Sequence, residues 1–328
     1  MKKHIVFISI LLIILLSFLV IVPEISISAC LTGINVWATS ILPALFPFFF
    51  FTKLLGDLGF ITYISRGVAP LTKRLFNTSG ISSYVYLMSI LSGYPVGAKI
   101  TSDLYENKII DLGEAHRIVT FTSTSGPLFI LGTVAVGMFE NKTLGYVVLL
   151  AHFIGAIVNG LCYRKYMLKT EKTIKPNNVS ATKTENILEN CMFSSIKSIL
   201  IVGGYIAIFF MLITIFNHFN LFLPITFVLS KIFPNLNVNV VTSVLNGIIE
   251  LTRGCLDLST CGLNLNVSAI ILSGLISFGG ISINLQALTF LKKMNINLKF
   301  YFCQKLTHAL FSMVLAFLFG LVILWFSN

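Results

Sequence analysis

From Ile5 to Val22 the chain runs for 18 residues without a charge, and apolar stretches of similar length recur along its whole course. No other feature limits the fold so sharply. A helix rises about 1.5 Å per residue, so about 20 apolar residues cross a hydrocarbon core about 30 Å thick. Of the 328 residues 56% are hydrophobic and 11% charged, whereas a soluble domain carries roughly a quarter of its residues as charges. Charge this sparse cannot cover a water-facing surface. The chain therefore reads as all-α, a polytopic transmembrane helical bundle of eight to ten segments. The Ile5–Val22 run exceeds the roughly 7 to 15 apolar residues of a signal peptide and reads as a retained first helix within residues 1–30.

The second apolar region, Leu31 to Leu55, carries Pro43 and Pro47, which remove backbone donors and predict a kink. Thr62 to Gly80 reads as a basic connection. Ile81–Ile100 and Ala115–Phe139 are apolar but interrupted, by SGYPVGAK and STSGPLFILGT, and Thr143–Tyr163 is a plain span. These make a first repeat over 31–163. Residues 164–197 form the most polar stretch, with seven basic and three acidic residues. The second repeat, 198–328, holds apolar segments at Ser198–Phe216, Leu221–Phe233, Val240–Leu258 and Val267–Phe290, then a last span from about Phe302 to Phe326.

A net charge of +11 does not indicate a nucleic-acid binder, because Lys and Arg lie in short loops between apolar runs. By the positive-inside rule four basic sites are cytoplasmic: the N-terminus, Arg66–Arg74, Arg164–Lys197 and Lys292–Lys299. Three apolar segments between the second and third sites break parity unless one re-enters, and the Gly/Pro-interrupted pair are the natural choice. Between the third and fourth sites, four spans, or three with one re-entrant piece, restore it.

The interruptions repeat. Ser92–Pro95 (SGYP) is followed about 30 residues later by Thr124–Pro127 (TSGP), and Asn246–Glu250 (NGIIE) by Ser277–Gly280 (SFGG), with an offset near 153 between the halves. Paired broken segments in two halves point to a midplane substrate site in secondary transporters, although small residues also serve close helix packing.

Ionisable groups in apolar spans are costly, so they are candidates for function. Lys99 closes SGYPVGAK, with snorkelling to the interface as its plainer explanation. Glu250 and Arg253, three apart, are expected to meet as an ion pair. Ser123 to Pro127 can end one half-helix and start another, presenting free N–H groups suited to an anion; Ser277, Gly279, Gly280, Ser282, Asn284 and Gln286 are the equivalent set. The candidate binding residues are Tyr94, Lys99, Ser125, Gly126, Glu250, Arg253, Ser277, Gly280 and Gln286. His116, His152 and His308 read as isolated structural groups. Six cysteines show no CxxC pair and no ligand spacing, and no nucleotide-binding or hydrolase motif is present. No cofactor, metal or enzymatic activity is expected.

LPALFPFF (42–49), SGYPVGAK (92–99), TSGPLFILGTVAVGMF (124–139), NGIIELTRG (246–254) and SFGGISINLQ (277–286), in that order, resemble the YlbJ (SpoVV) sporulation integral membrane protein family, over nearly the whole chain. The resemblance implies nucleoside-recognition Gate domains as two hairpin-containing repeats. It also implies a role in moving dipicolinic acid, a small aromatic dianion, across the outer forespore membrane. Besides that solute and the lipid bilayer, a second copy or other sporulation membrane proteins are the partners it leaves open. A nucleoside or nucleobase carrier and a non-transporting membrane partner remain the competing readings.

Overall fold

The computed structural model of the chain describes residues 3–168, 186–232 and 237–323, so the middle of the basic stretch at 164–197 and the ends of the expected segments Leu221–Phe233 and Phe302–Phe326 lie outside it. All regular structure among the described residues is helical. The N-terminal part comprises α1 (Lys3–Ile21), α2 (Pro23–Val36), a π-helical turn (Trp37–Ile41), α3 (Leu42–Asp57) and α4 (Phe60–Phe76). Pro43 lies just past the π-helical turn and Pro47 inside α3, within a helical stretch that runs from Pro23 to Asp57. The Thr62–Gly80 stretch, expected as a connection, is largely the helix α4. Its Ser65 and Thr72 are buried while Tyr63 and Leu71 are exposed.

Then come α5 (Ser82–Ser92), α6 (Val96–Glu106), α7 (Leu112–Thr122), a π-helical segment (Phe129–Met138) and α8 (Lys142–Tyr163). The second half has α9 (Ile187–His218), α10 (Leu223–Ile232), α11 (Val238–Ile249), α12 (Leu251–Ser259), α13 (Leu265–Phe278), α14 (Gly280–Leu291) and α15 (Leu298–Ile323). Side-chain caps fix several starts. Asp111 accepts from Glu114 N at 2.7 Å, Asn141 from Leu144 N at 2.8 Å and Asn264 from Val267 N at 2.8 Å.

Each half repeats one pattern: a helical hairpin, a broken helix and a continuous helix. In the first hairpin α6 folds back on α5, with Gly97 against Ser89 and the Thr122 carbonyl so closely that no Cβ fits. In the second, α12 folds back on α11, with Gly254 set directly against Gly247. The broken helices run straight on. Residues 112–138 lie antiparallel along α8, through Arg117 Nη1 to the Tyr166 carbonyl (2.9 Å), Asn159 Nδ2 to the Thr120 carbonyl (2.8 Å), and Ala135 packed on Gly145. Helices α13 and α14 run the same way along α15, through Ser277 to Ser312 (2.8 Å) and Tyr301 to Asn284 (2.9 Å).

The continuous helices α8 and α15 are themselves antiparallel. Gly155 meets Ser312, and Asn159 Oδ1 accepts from Thr307 at 2.7 Å. The two halves therefore run in opposite directions across the same layer, the arrangement of inverted transporter repeats.

Among the described residues five helical stretches are long and apolar enough to cross a membrane: Pro23–Asp57, Lys142–Tyr163, Ile187–His218, Leu265–Met294 and Leu298–Val322. Their outward faces carry exposed Leu31, Ile201, Ile208, Leu310, Val314 and Leu321. Such a belt suits lipid, and the chain is a multi-pass integral membrane protein.

The hairpins settle parity. Between the second and third basic sites the first hairpin returns to the side it left, and 112–138 and α8 make two crossings. Between the third and fourth, α9 and α13–α14 cross, the second hairpin returns, and α10, only 10 residues long, adds no full span. The expected four spans, or three with one re-entrant piece, reduce to two crossings around one hairpin, because Val240–Leu258 folds back on itself. Basic clusters then share a face: Arg164 Nη2 bonds the Arg74 carbonyl at 2.9 Å, and Lys293 pairs with Glu106 at 3.3 Å beside the base of the first hairpin.

Candidate functional site

Where the halves meet, four interruptions of the helices come together. Gly93, at φ +69°, forms the tip of the first hairpin, and a Cβ there would lie 2.5 Å from the Gly126 N in the first helix break. Only glycine tolerates both the left-handed backbone and that contact. Gly280, in the second break, packs on the tip of the second hairpin, 3.1 Å from the Leu251 N by the same measure. Each hairpin tip thus rests on the broken helix that follows it.

A cavity of about 70 Å³ lies between them. Ser92, Gly93 and Tyr94 line it from the first hairpin, Ser125 and Gly126 from the first break, Glu250 and Thr252 from the second hairpin, and Ser282 and Gln286 from α14. Phe48 and Phe49 of α3, Phe129, and Tyr205 of α9 supply an apolar and aromatic wall. Five candidate residues, Tyr94, Ser125, Gly126, Glu250 and Gln286, therefore share one cavity, and Ser277 and Gly280 lie directly behind its wall.

Arg253 and Lys99 lie elsewhere. The expected Glu250–Arg253 ion pair does not form, because the chain breaks at Glu250 (φ −136°, ψ 117°) and its carboxylate caps α12, accepting from the Arg253 backbone N at 2.7 Å. The guanidinium of Arg253 turns to Asp257, one helical turn on, with Nε 2.8 Å from Oδ1. Asp257 also accepts from Asn246 at 2.7 Å, and the guanidinium stands 5.4 Å from the centre of the Phe210 ring. This cluster borders a separate recess with Glu24, Thr32 and Thr214. Lys99 is exposed on α6.

Behind the cavity lies a polar network that joins both breaks. His152, fully buried on α8, accepts from the Ser125 N at 2.9 Å through Nε2, and its Nδ1 stands 2.7 Å from Ser277 Oγ. A backbone N–H can only donate, so Nε2 is the acceptor and Nδ1 carries the proton. Ser277 donates on to Ser312 at 2.8 Å, and His308 Nε2 bonds the His152 carbonyl at 3.0 Å. Asn159 ties the Thr120 carbonyl to Gln304 and Thr307 one turn away. Lys305, 0% exposed, donates to Tyr94 Oη at 2.7 Å and the Ser123 carbonyl at 3.3 Å. Tyr94 Oη stands 3.3 Å from the Ile276 carbonyl and 3.2 Å from that of Ser277.

His152 and His308, read from the sequence as isolated, are thus the centre of the network, while His116 bonds the Leu112 carbonyl and the Asn297 N apart from it; Lys305 was not among the candidates at all. A signal for it exists. Lys305 is the single Asp, Glu, Lys or Arg between Phe300 and Asn328, an ionisable residue inside a span, but attention to glycine and proline breaks passes over it. Among the described residues no group of three or more His, Cys, Asp or Glu could hold a metal ion.

Residues 38–142 match the family model described as Gate, nucleoside recognition. The chain is 32% identical over 321 residues to the sporulation integral membrane protein YlbJ of Bacillus subtilis (strain 168), an alignment covering 90% of this chain and 78% of that protein. No solved structure matches it.

Proposed function

We propose that this chain, which belongs to the YlbJ family of sporulation integral membrane proteins, is a secondary or facilitated-diffusion carrier that moves a small organic anion, dipicolinate, across the outer forespore membrane. The observation that carries the reading is the meeting of both hairpin tips and both helix breaks around one cavity between oppositely directed halves. In such a site, rocking one half against the other opens the cavity to either side in turn. The aromatic wall suits a flat ring. The N-termini of the half-helices that begin at the breaks offer free N–H groups to carboxylates. The free space of about 70 Å³ is little more than a few waters' worth, so the site must widen to take a solute of this size.

Uptake of labelled dipicolinate by proteoliposomes containing this protein alone tests the reading, with protein-free vesicles as the baseline. A second reading, a nucleoside carrier, is favoured by the description of the matching family and by a cavity lining whose one charged side chain is the carboxylate of Glu250. Uptake of labelled uridine without uptake of dipicolinate would establish that alternative. Uptake of neither would favour a non-transporting membrane partner.

A further inference from the structure

Lys305 is a buried lysine without a carboxylate partner. Among the described residues no carboxylate lies within 4 Å of its Nζ, although a charge taken out of water is costly unless compensated. Its compensation is partial. The Ser123 carbonyl sits just past the end of α7, and through Tyr94 Oη the ammonium connects to the Ile276 and Ser277 carbonyls at the end of α13. Helix C-termini carry about half a negative charge each.

At the offset of 153 residues that relates Thr124–Pro127 to Ser277–Gly280, the place matching Lys305 is held by His152, whose imidazole bonds the Ser125 N and Ser277 Oγ. The two halves set different polar groups at the matching place, and the lysine belongs to one half alone.

The ammonium is also one side chain from the cavity. Tyr94 lines it, and Lys305 Nζ stands 4.4 Å from the centre of the Tyr94 ring. Tyr94 belongs to the tip of a re-entrant hairpin, whereas Lys305 belongs to the continuous helix α15. A hairpin movement that carries Tyr94 away uncovers the ammonium while α15 stays in place.

We propose that Lys305 is the cation that anchors a carboxylate of the transported solute, covered by Tyr94 while the first hairpin is closed and uncovered when that hairpin moves. This rests on the carrier reading above. The site is selective for a carboxylate over its neutral amide, because only the former neutralises the ammonium.

The test is competition in proteoliposomes, with labelled dipicolinate as solute and unlabelled dipicolinate or pyridine-2,6-dicarboxamide as competitor. Losing one partner of a buried charge pair costs about 30-fold or more in binding. The wild type should therefore prefer the diacid by about that factor. Lys305→Gln should lower uptake per inserted molecule and bring the two competitors to near-equal potency while inserting at normal abundance, and Lys305→Arg should keep the preference. A structural role for Lys305 would lower abundance without changing the ratio between competitors. Should Lys305→Gln fail to insert, Tyr94→Phe decides: removing the hydroxyl that holds Nζ should lower the half-saturating dipicolinate concentration by about fivefold, and an unchanged or higher value overturns the proposal. Lys305→Gln that keeps uptake and preference sinks this inference and leaves the carrier reading standing. A wild type that takes up no dipicolinate sinks both.

Discussion

Replacing His152 by leucine removes the side chain that bonds both helix breaks while keeping nearly the same volume. Two losses follow. The Ser125 N–H, on a residue 4% exposed, loses its acceptor at 2.9 Å, and an orphaned buried donor costs about 1–3 kcal/mol. Ser277 Oγ loses the partner at 2.7 Å but keeps Ser312, and a side-chain hydrogen bond between transmembrane helices averages about 0.6 kcal/mol. Together they come to about 1.5–3.5 kcal/mol. Reversible SDS unfolding in mixed micelles, followed by circular dichroism at 222 nm, measures it. A double-mutant cycle with Ser277→Ala isolates the bond itself, with an expected coupling of about 0.6–1.7 kcal/mol. Additivity to within about 0.3 kcal/mol, together with a cost for His152→Leu below about 0.5 kcal/mol, would refute the claim that one histidine ties the two breaks.

Gly254→Leu drives a side chain into Gly247 and should destabilise the second hairpin by about 3 kcal/mol or more, read as lost abundance and a lower melting temperature, whereas the same change at Gly204, which has open space, should leave both nearly unchanged. Arg253→Gln leaves Asp257 without its partner in a pair 23% and 22% exposed and should cost about 1–3 kcal/mol; a loss of dipicolinate uptake at unchanged abundance would instead place Arg253 in the solute path. Since Lys293 and Glu106 share a face with Arg164 and Arg74, impermeant thiol reagents on a cysteine-free background in intact cells should miss Lys293→Cys and Lys108→Cys and label Glu140→Cys and Thr260→Cys. The reverse pattern would invert the topology.

Several features of this protein were legible in its residues alone. Uncharged runs of span length dictate helices in a bilayer, because nothing else satisfies the backbone there. Gly and Pro pairs such as Gly93–Tyr94–Pro95 and Gly279–Gly280 mark where those helices stop, since glycine admits positive φ and proline withholds a donor. Recurrence of these breaks at a constant offset told of two halves. What the one-dimensional pattern left open was which interruptions turn back and which run on. SGYP and NGIIE close hairpins, while TSGP and SFGG only break spanning helices, and that difference lies in close backbone contacts such as Gly254 on Gly247. Local spacing likewise paired Arg253 with Glu250, yet the end of a helix at Glu250 sent its carboxylate to a backbone N–H and left the guanidinium to Asp257. His152 and His308, 156 positions apart, come within 5.0 Å ring to ring, and Lys305 meets Tyr94 across 211 residues. Separation in the chain says nothing about such pairs, because only the antiparallel packing of α8 on α15, and of each hairpin tip on its broken helix, sets which buried polar groups must satisfy one another.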